Sequence, residues 1–191
     1  MKYIALFFVL SILVACSGSK SPPRNLDDAC RMKAERPSWF KDLSKAERKW
    51  GVPQAVFLAA IYQESKFVAK ARTPHRFALG IIPMGRQSSA YGYSQAIDST
   101  WDWYRKDTGR RFAKRTDFGD SVDFMGWYMN QTQQRNGVSK SDAYNQYLAY
   151  HEGHTGFSRR NYRNKSWLVG VARSVQDRAV LYDTQLAYCR R

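Results

Sequence analysis

The feature of this chain that admits the fewest folds is an apolar run that ends in an acid. Val52-Pro53-Gln54-Ala55-Val56-Phe57-Leu58-Ala59-Ala60-Ile61-Tyr62-Gln63-Glu64-Ser65 carries Val56, Ala60, Ile61 and Glu64 at helical spacing, which puts the carboxyl on the core-facing stripe of a helix. Pro53 is tolerated at a first helical position and suits the start of that helix. Burying a carboxylate costs several kcal/mol unless it is paired, so such a group tends to hold its proton at neutral pH. A protonated carboxyl at a pocket floor is a general acid. The alternative is a glutamate that ends its helix and turns to solvent.

The N-terminus reads as a secretory signal over residues 1–15. Lys2 precedes a short apolar stretch, Tyr3 to Ala15, too short to span a bilayer comfortably. Leu13-Val14-Ala15-Cys16 resembles a bacterial lipobox, which implies cleavage before Cys16 and lipids on its thiol. Ser17 rather than aspartate follows, a pattern implying release to the outer membrane, facing the periplasm. Residues 16–29 then form a tether, Ser/Gly/Pro-rich from Ser17 to Pro23. An exported chain meets an oxidising compartment, so Cys30 and Cys189 are expected to form a disulfide. Residues 30–191 are one domain's worth of chain, with no internal repeat, no second linker and a steadily globular composition.

The coarse pattern is all-α, or nearly so. Helical spacing runs from Ser38 to Trp50, stopped by Gly51. Phe67 to Tyr91 is long and irregular, with Pro74, Gly80, Pro83 and Gly85; long structured loops in a compact domain are often functional. Ser99 is placed to cap a short helix ending at Gly109, and Asp120 one ending at Gly137. Ser141 begins a helix closed by Gly153, and Ser166 begins the last, through Leu186. No alternating strand run is evident.

Three motifs lie along this frame: Glu64-Ser65, Gly92-Tyr93-Ser94-Gln95 and Ala149-Tyr150-His151. In order and spacing they resemble those of lytic transglycosylases with a soluble-transglycosylase-type, lysozyme-like domain. That family's signature is Glu-Ser ending an apolar helix, then Gly-Leu-Met-Gln, then Ala-Tyr-Asn. The first motif is complete; the inner two residues of the second differ, and His151 stands where asparagine is usual. The resemblance covers roughly residues 38–160 and points to a divergent branch. It implies a peptidoglycan substrate and cleavage between N-acetylmuramic acid and N-acetylglucosamine.

The chemistry explains the residue types. A glycosidic oxygen leaves poorly until protonated by an acid of raised pKa. Most glycosidases add a second carboxylate; the resemblance implies none, the substrate's own N-acetyl group taking that part. It further implies that Glu64 is catalytic, that Ser65 orients it, that Tyr150 donates to it and that Gln95 binds sugar. Gly92, Tyr93, His151 and Glu152 complete the expected supporting or substrate-binding set. Asp123 falls in an apolar helix pattern; it is weighed as a second carboxylate and read as a first-turn helix residue. His151-x-x-His154 lacks a third ligand at clear spacing, so no metal and no cofactor is expected.

The net charge of +15 is carried partly by Arg105-Lys106, Arg110-Arg111, Lys114-Arg115 and Arg159-Arg160. Such runs are usually solvated faces, but a basic surface also attracts peptidoglycan carboxylates or anionic lipids near the anchor. Nucleic acid is the rival partner, and export argues against it. The expected protein is a monomeric, outer-membrane-anchored lytic transglycosylase. Its rivals are a goose-type-like muramidase that uses water, and a catalytically silent lipoprotein that holds the membrane to the wall.

Overall fold

The computed structural model describes residues 21–78 and 82–189; the signal over 1–15, the lipobox Cys16 and the start of the tether lie outside them. Among the described residues the chain forms seven α-helices, a 3₁₀ turn over Asn161–Asn164 and one antiparallel hairpin. The helices are α1 Ala29–Glu35, α2 Pro37–Trp50, α3 Gln54–Ser65, α4 Asp98–Thr108, α5 Phe118–Asn136, α6 Ala143–Ser158 and α7 Ser166–Tyr188. The expected all-α class holds.

The apolar run is the axis of the domain. Every residue of α3 from Gln54 to Ile61 is buried, so the helix is covered on all sides and not along one stripe. It packs against α2, α5, α6 and α7. A helix hydrophobic all round has to be central, and Phe57, Leu58 and Ile61, wholly enclosed, each contribute about 1.5–3 kcal/mol of burial.

Local expectations fail where a longer-range partner takes over. The stretch read as irregular contains strands β1 His75–Ala78 and β2 Ile82–Arg86, paired antiparallel with Ala78 opposite Ile82; strands this short show no alternation to read. Helix α1 falls where the tether was expected to end, and Asp28 caps it by accepting from the Arg31 N–H at 3.0 Å. Helix α5 starts earlier than predicted because Asp117, not Asp120, is its cap, accepting from the Asp120 N–H at 2.9 Å. Ser99 does not cap α4: the Asp98 N–H donates to Ser89 Oγ at 3.0 Å, a cap supplied from the preceding loop. Gly153 bends α6 and does not close it, its backbone alone leaving helical geometry (φ 73°, ψ 159°) before the helix resumes to Ser158.

Asp123 sits in α5, and four donors converge on its carboxylate. Lys49 Nζ lies at 2.8 Å, Trp50 Nε1 at 2.9 Å, Tyr104 Oη at 2.7 Å and Arg110 Nη1 at 3.1 Å. Burial alone would raise its pKa, but these partners hold it below the usual carboxylate range. Asp123 is thus an ionised strut tying α2 and α4 to α5, not a proton donor.

The two ends of the domain are clamped together. Cys30 of α1 and Cys189, which caps α7, form a disulfide with Cα atoms 5.7 Å apart. Around it the Ala29 N–H donates to Gln185 Oε1 at 2.8 Å and Gln185 Nε2 to the Asp27 carbonyl at 2.9 Å. Tyr182 Oη donates to the Leu26 carbonyl. The bridge closes a loop spanning 159 positions. Replacing both cysteines with alanine should cost about 2–5 kcal/mol of stability, read as a lower urea midpoint. Intact-mass analysis of unreduced, unfolded protein should find neither Cys30 nor Cys189 open to alkylation.

Candidate active site

Glu64 lies in the last turn of α3, two residues before a consecutive pair in left-handed conformation, Lys66 (φ 49°) and Phe67 (φ 61°). Such non-glycine geometry costs on the order of 1 kcal/mol or more and persists where surrounding structure enforces it. Here Phe67 is fully enclosed and stacks on Trp39. The helix therefore stops sharply, and Glu64 is left at the floor of a cavity of about 490 Å³. Segment 88–97 contributes Ser88, Ala90, Gln95, Ala96 and Ile97 to its walls; the helices contribute Thr100, Phe124, Tyr128, and Tyr150 through Gly153.

The Glu64 carboxyl is half-buried at that floor, with protein packed densely round it. Desolvation pushes its pKa up to about 7, against a hydrogen bond from Tyr147 that pulls the other way. Tyr147 is itself buried, and burial with the neighbouring carboxylate drives its phenol far upward, so it stays a donor. The partner expected for Glu64 was Tyr150. Tyr150 instead donates to the Ser94 carbonyl at 2.5 Å, pinning α6 to the segment that carries Gln95. Its phenol is also pushed well up, first by burial and then by the nearby Glu64 carboxyl. Tyr147 and Tyr150 are three residues apart, hence on one face of α6. That shared face was the available signal for Tyr147, and a core tyrosine on a helix gives no other.

Gln95 reaches the cavity in a left-handed conformation (φ 49°). Its Nε2 donates to the carbonyls of Ala71 (2.9 Å) and Gly92 (2.7 Å), which leaves Oε1 as its acceptor for a ligand. Gly92 serves through its backbone. With φ at 80°, a Cβ there would lie 2.0 Å from the Arg115 carbonyl oxygen, so no other residue fits. That turn carries Tyr93 away from the cavity and into the core, edge-on to Trp39 and Phe118. Ser65 also points elsewhere: one residue round the helix from Glu64, it donates to the Ile61 carbonyl at 3.3 Å. Ser65 and Tyr93 are thus packing residues and not walls of the cavity.

A family model described as the transglycosylase SLT domain matches residues 4–189. The chain belongs to that family. No curated protein matches it in a sequence search. Membership supports lytic transglycosylase activity on peptidoglycan.

In this SLT domain, Glu152 is the other carboxylate on the cavity wall among the described residues. Lys165 Nζ approaches it at 2.7 Å and His151 Nδ1 at 3.1 Å, and these side chains leave it 3% exposed. Burial would raise its pKa, but the two partners outweigh that and hold it below the usual range. His154 stacks on Tyr128 at 4.4 Å, with Thr132 Oγ1 3.1 Å from its Nε2. Burial and Arg135 lower its pKa and favour the neutral ring. The two histidines of the His-x-x-His pattern therefore face different partners.

The raised Glu64 pKa has a signed consequence for stability. Between pH 4.5 and about 7 the folded chain holds the Glu64 proton more tightly than the unfolded chain does. Stability therefore falls as pH rises through that window. Glu64→Gln should be close to neutral in urea melts near pH 4.5. By pH 8 it should stabilise, by on the order of 3 kcal/mol at most. Tyr147→Phe removes the opposing donor and should move the Glu64 titration, followed by carboxyl NMR, above its wild-type value.

Proposed function

We propose that this chain cleaves the β-1,4 bond between N-acetylmuramic acid and N-acetylglucosamine in peptidoglycan, leaving a 1,6-anhydro end, with Glu64 as acid and then base. The observation that carries the reading is the pairing of states on the cavity wall. Glu64 has a pKa near 7, so both its forms are accessible at neutral pH. Glu152, the other carboxylate on that wall, has its Oε1 taken up by Lys165 and His151, which lower its pKa and leave it a weak base toward water.

In the proposed step Glu64 protonates the glycosidic oxygen, and the C1–O bond breaks. The substrate's N-acetyl oxygen supports the cationic carbon from within the sugar. Glu64, now a carboxylate, takes the proton from the same sugar's 6-hydroxyl, and that oxygen closes on C1. The proton given equals the proton recovered, so no water is consumed and one carboxyl suffices. Tyr147 would support the carboxylate form by its hydrogen bond. Gln95 Oε1 would accept from a sugar hydroxyl or the N-acetyl N–H. Tyr150 would act by fixing the Gln95 segment against α6, and His151 and Glu152 by shaping the wall beside the scissile sugar.

The lipobox supports a lipidated Cys16 and an outer-membrane position facing the periplasm. Cys16→Ala should then lose membrane sedimentation after detergent-free lysis; a variant that still sediments with outer membranes would remove the anchor from this reading.

The product distinguishes the reaction from its rivals. Muropeptides released from purified sacculi should be about 18 Da, one water, lighter than hydrolytic products. Glu64→Gln should lower release by 10²- to 10⁴-fold or more while still binding sacculi. Hydrolytic masses would favour the muramidase, and binding without any product from the wild type would favour a silent tether.

A further inference from the structure

A second cavity, larger than the one that holds Glu64, lies elsewhere on the domain. A groove of about 740 Å³ lies between α1, α2 and the end of α7. Ala34, Pro37, Phe40 and Leu186 give it an apolar floor, and Lys33, Lys41, Lys45 and Arg48 line it as cations. Lys41, Lys45 and Arg48 repeat at helical spacing along one face of α2, all of them exposed. Lys33 reaches the Cys189 carbonyl at 3.3 Å, beside the disulfide. An apolar trough edged by ammonium and guanidinium groups matches an amphiphile with an anionic head. Peptidoglycan supplies carboxylates for the cations but only methyl groups and short methylene runs for the apolar floor, whereas an acyl chain covers it continuously.

Two observations orient this groove. Arg36 Nη2 donates to the Ser21 carbonyl at 3.0 Å, so the described chain begins at the α1–α2 junction, one residue before the Pro37 that lines the groove. Only Ser17 to Lys20 separate Ser21 from Cys16, a reach of at most about 18 Å when fully extended. Gln54, at the first turn of α3, lines the groove, whereas Glu64, in its last turn, lines the catalytic cavity. At 1.5 Å per residue the two ends stand about 15 Å apart along the helix axis.

We propose that this groove is an anionic-phospholipid site that seats the domain on the membrane surface. Headgroup phosphate would meet Lys41, Lys45 and Arg48, and acyl carbon would lie on the Phe40–Leu186 floor. The catalytic cavity then opens at the opposite end of α3, toward the wall. The proposal draws its orientation from the lipidated Cys16 of the proposed function, but its test uses no lipid anchor and no turnover.

The test takes the chain from Ser17 onward, which retains every core residue described above and lacks the apolar leader. Its sedimentation is measured with vesicles of phosphatidylcholine alone and with phosphatidylglycerol added. Binding should require the anionic lipid. With about 1 kcal/mol per basic residue at such a surface, Lys41→Ala/Lys45→Ala/Arg48→Ala should weaken it roughly 100-fold. The same loss of charge in Arg159→Ala/Arg160→Ala/Arg163→Ala should change it less than about threefold. Ala34→Glu, which sets a carboxylate on the groove wall, should also weaken it. Equal losses in the two triple variants would reduce the effect to overall charge and overturn the site. So would undiminished vesicle binding by the groove triple, or loss of sacculus binding in place of vesicle binding.

Discussion

A carboxyl that ends a helix buried on every side is the constraint on which the rest of this structure turns. Helix α3 has no solvent face from Gln54 to Ile61, so the surrounding helices are placed by the need to cover it. The same burial strips water from Glu64 and lifts its pKa to about 7. Stability and chemistry therefore pull on one element: the packing that holds the domain together is what makes the acid weak. The left-handed pair Lys66–Phe67 completes the device by ending the helix just past the acid.

Around that carboxyl the polar partners divide into those that tune it and those that fix walls. Tyr147 reaches Glu64 itself, whereas Tyr150 reaches across to the Ser94 carbonyl. Gln95 is locked by the Ala71 and Gly92 carbonyls, and Gly92 by the Arg115 backbone. The segment from 88 to 97 is thus held at several points without a strand or helix of its own. Asp123 does comparable work at a distance. As an ionised carboxylate with four donors it braces α2, α4 and α5, and breaking such a buried set by removing one partner typically costs 3–5 kcal/mol.

The clamp at the termini gives the domain polarity. The Cys30–Cys189 bridge and the Gln185, Tyr182 and Arg178 contacts bind residues 26–30 to α7. The basic groove reaches the first turn of α3 through Gln54, and the cavity of Glu64 lies at the other end of that helix. The groove and the cavity therefore share no lining residue.

The sequence by itself determined the all-α class, the apolar helix that ends at Glu64, the extent of α2 and the start of α7, and the disulfide. Each follows from local periodicity, from glycine or proline punctuation, or from the expectation that an exported chain joins Cys30 to Cys189. It also marked Glu64, Gln95, Tyr150, His151 and Glu152, which do line one cavity. Tertiary structure alone decided which tyrosine meets Glu64, because Tyr147 and Tyr150 share a helix face and differ only in what stands opposite. It likewise decided that Ser65 and Tyr93 turn inward, that Asp117 and Ser89 supply caps, and that the pKa of Asp123 is lowered while that of Glu64 is raised. Those outcomes depend on donors and burial contributed by residues far away in the chain, and no local pattern carries that information.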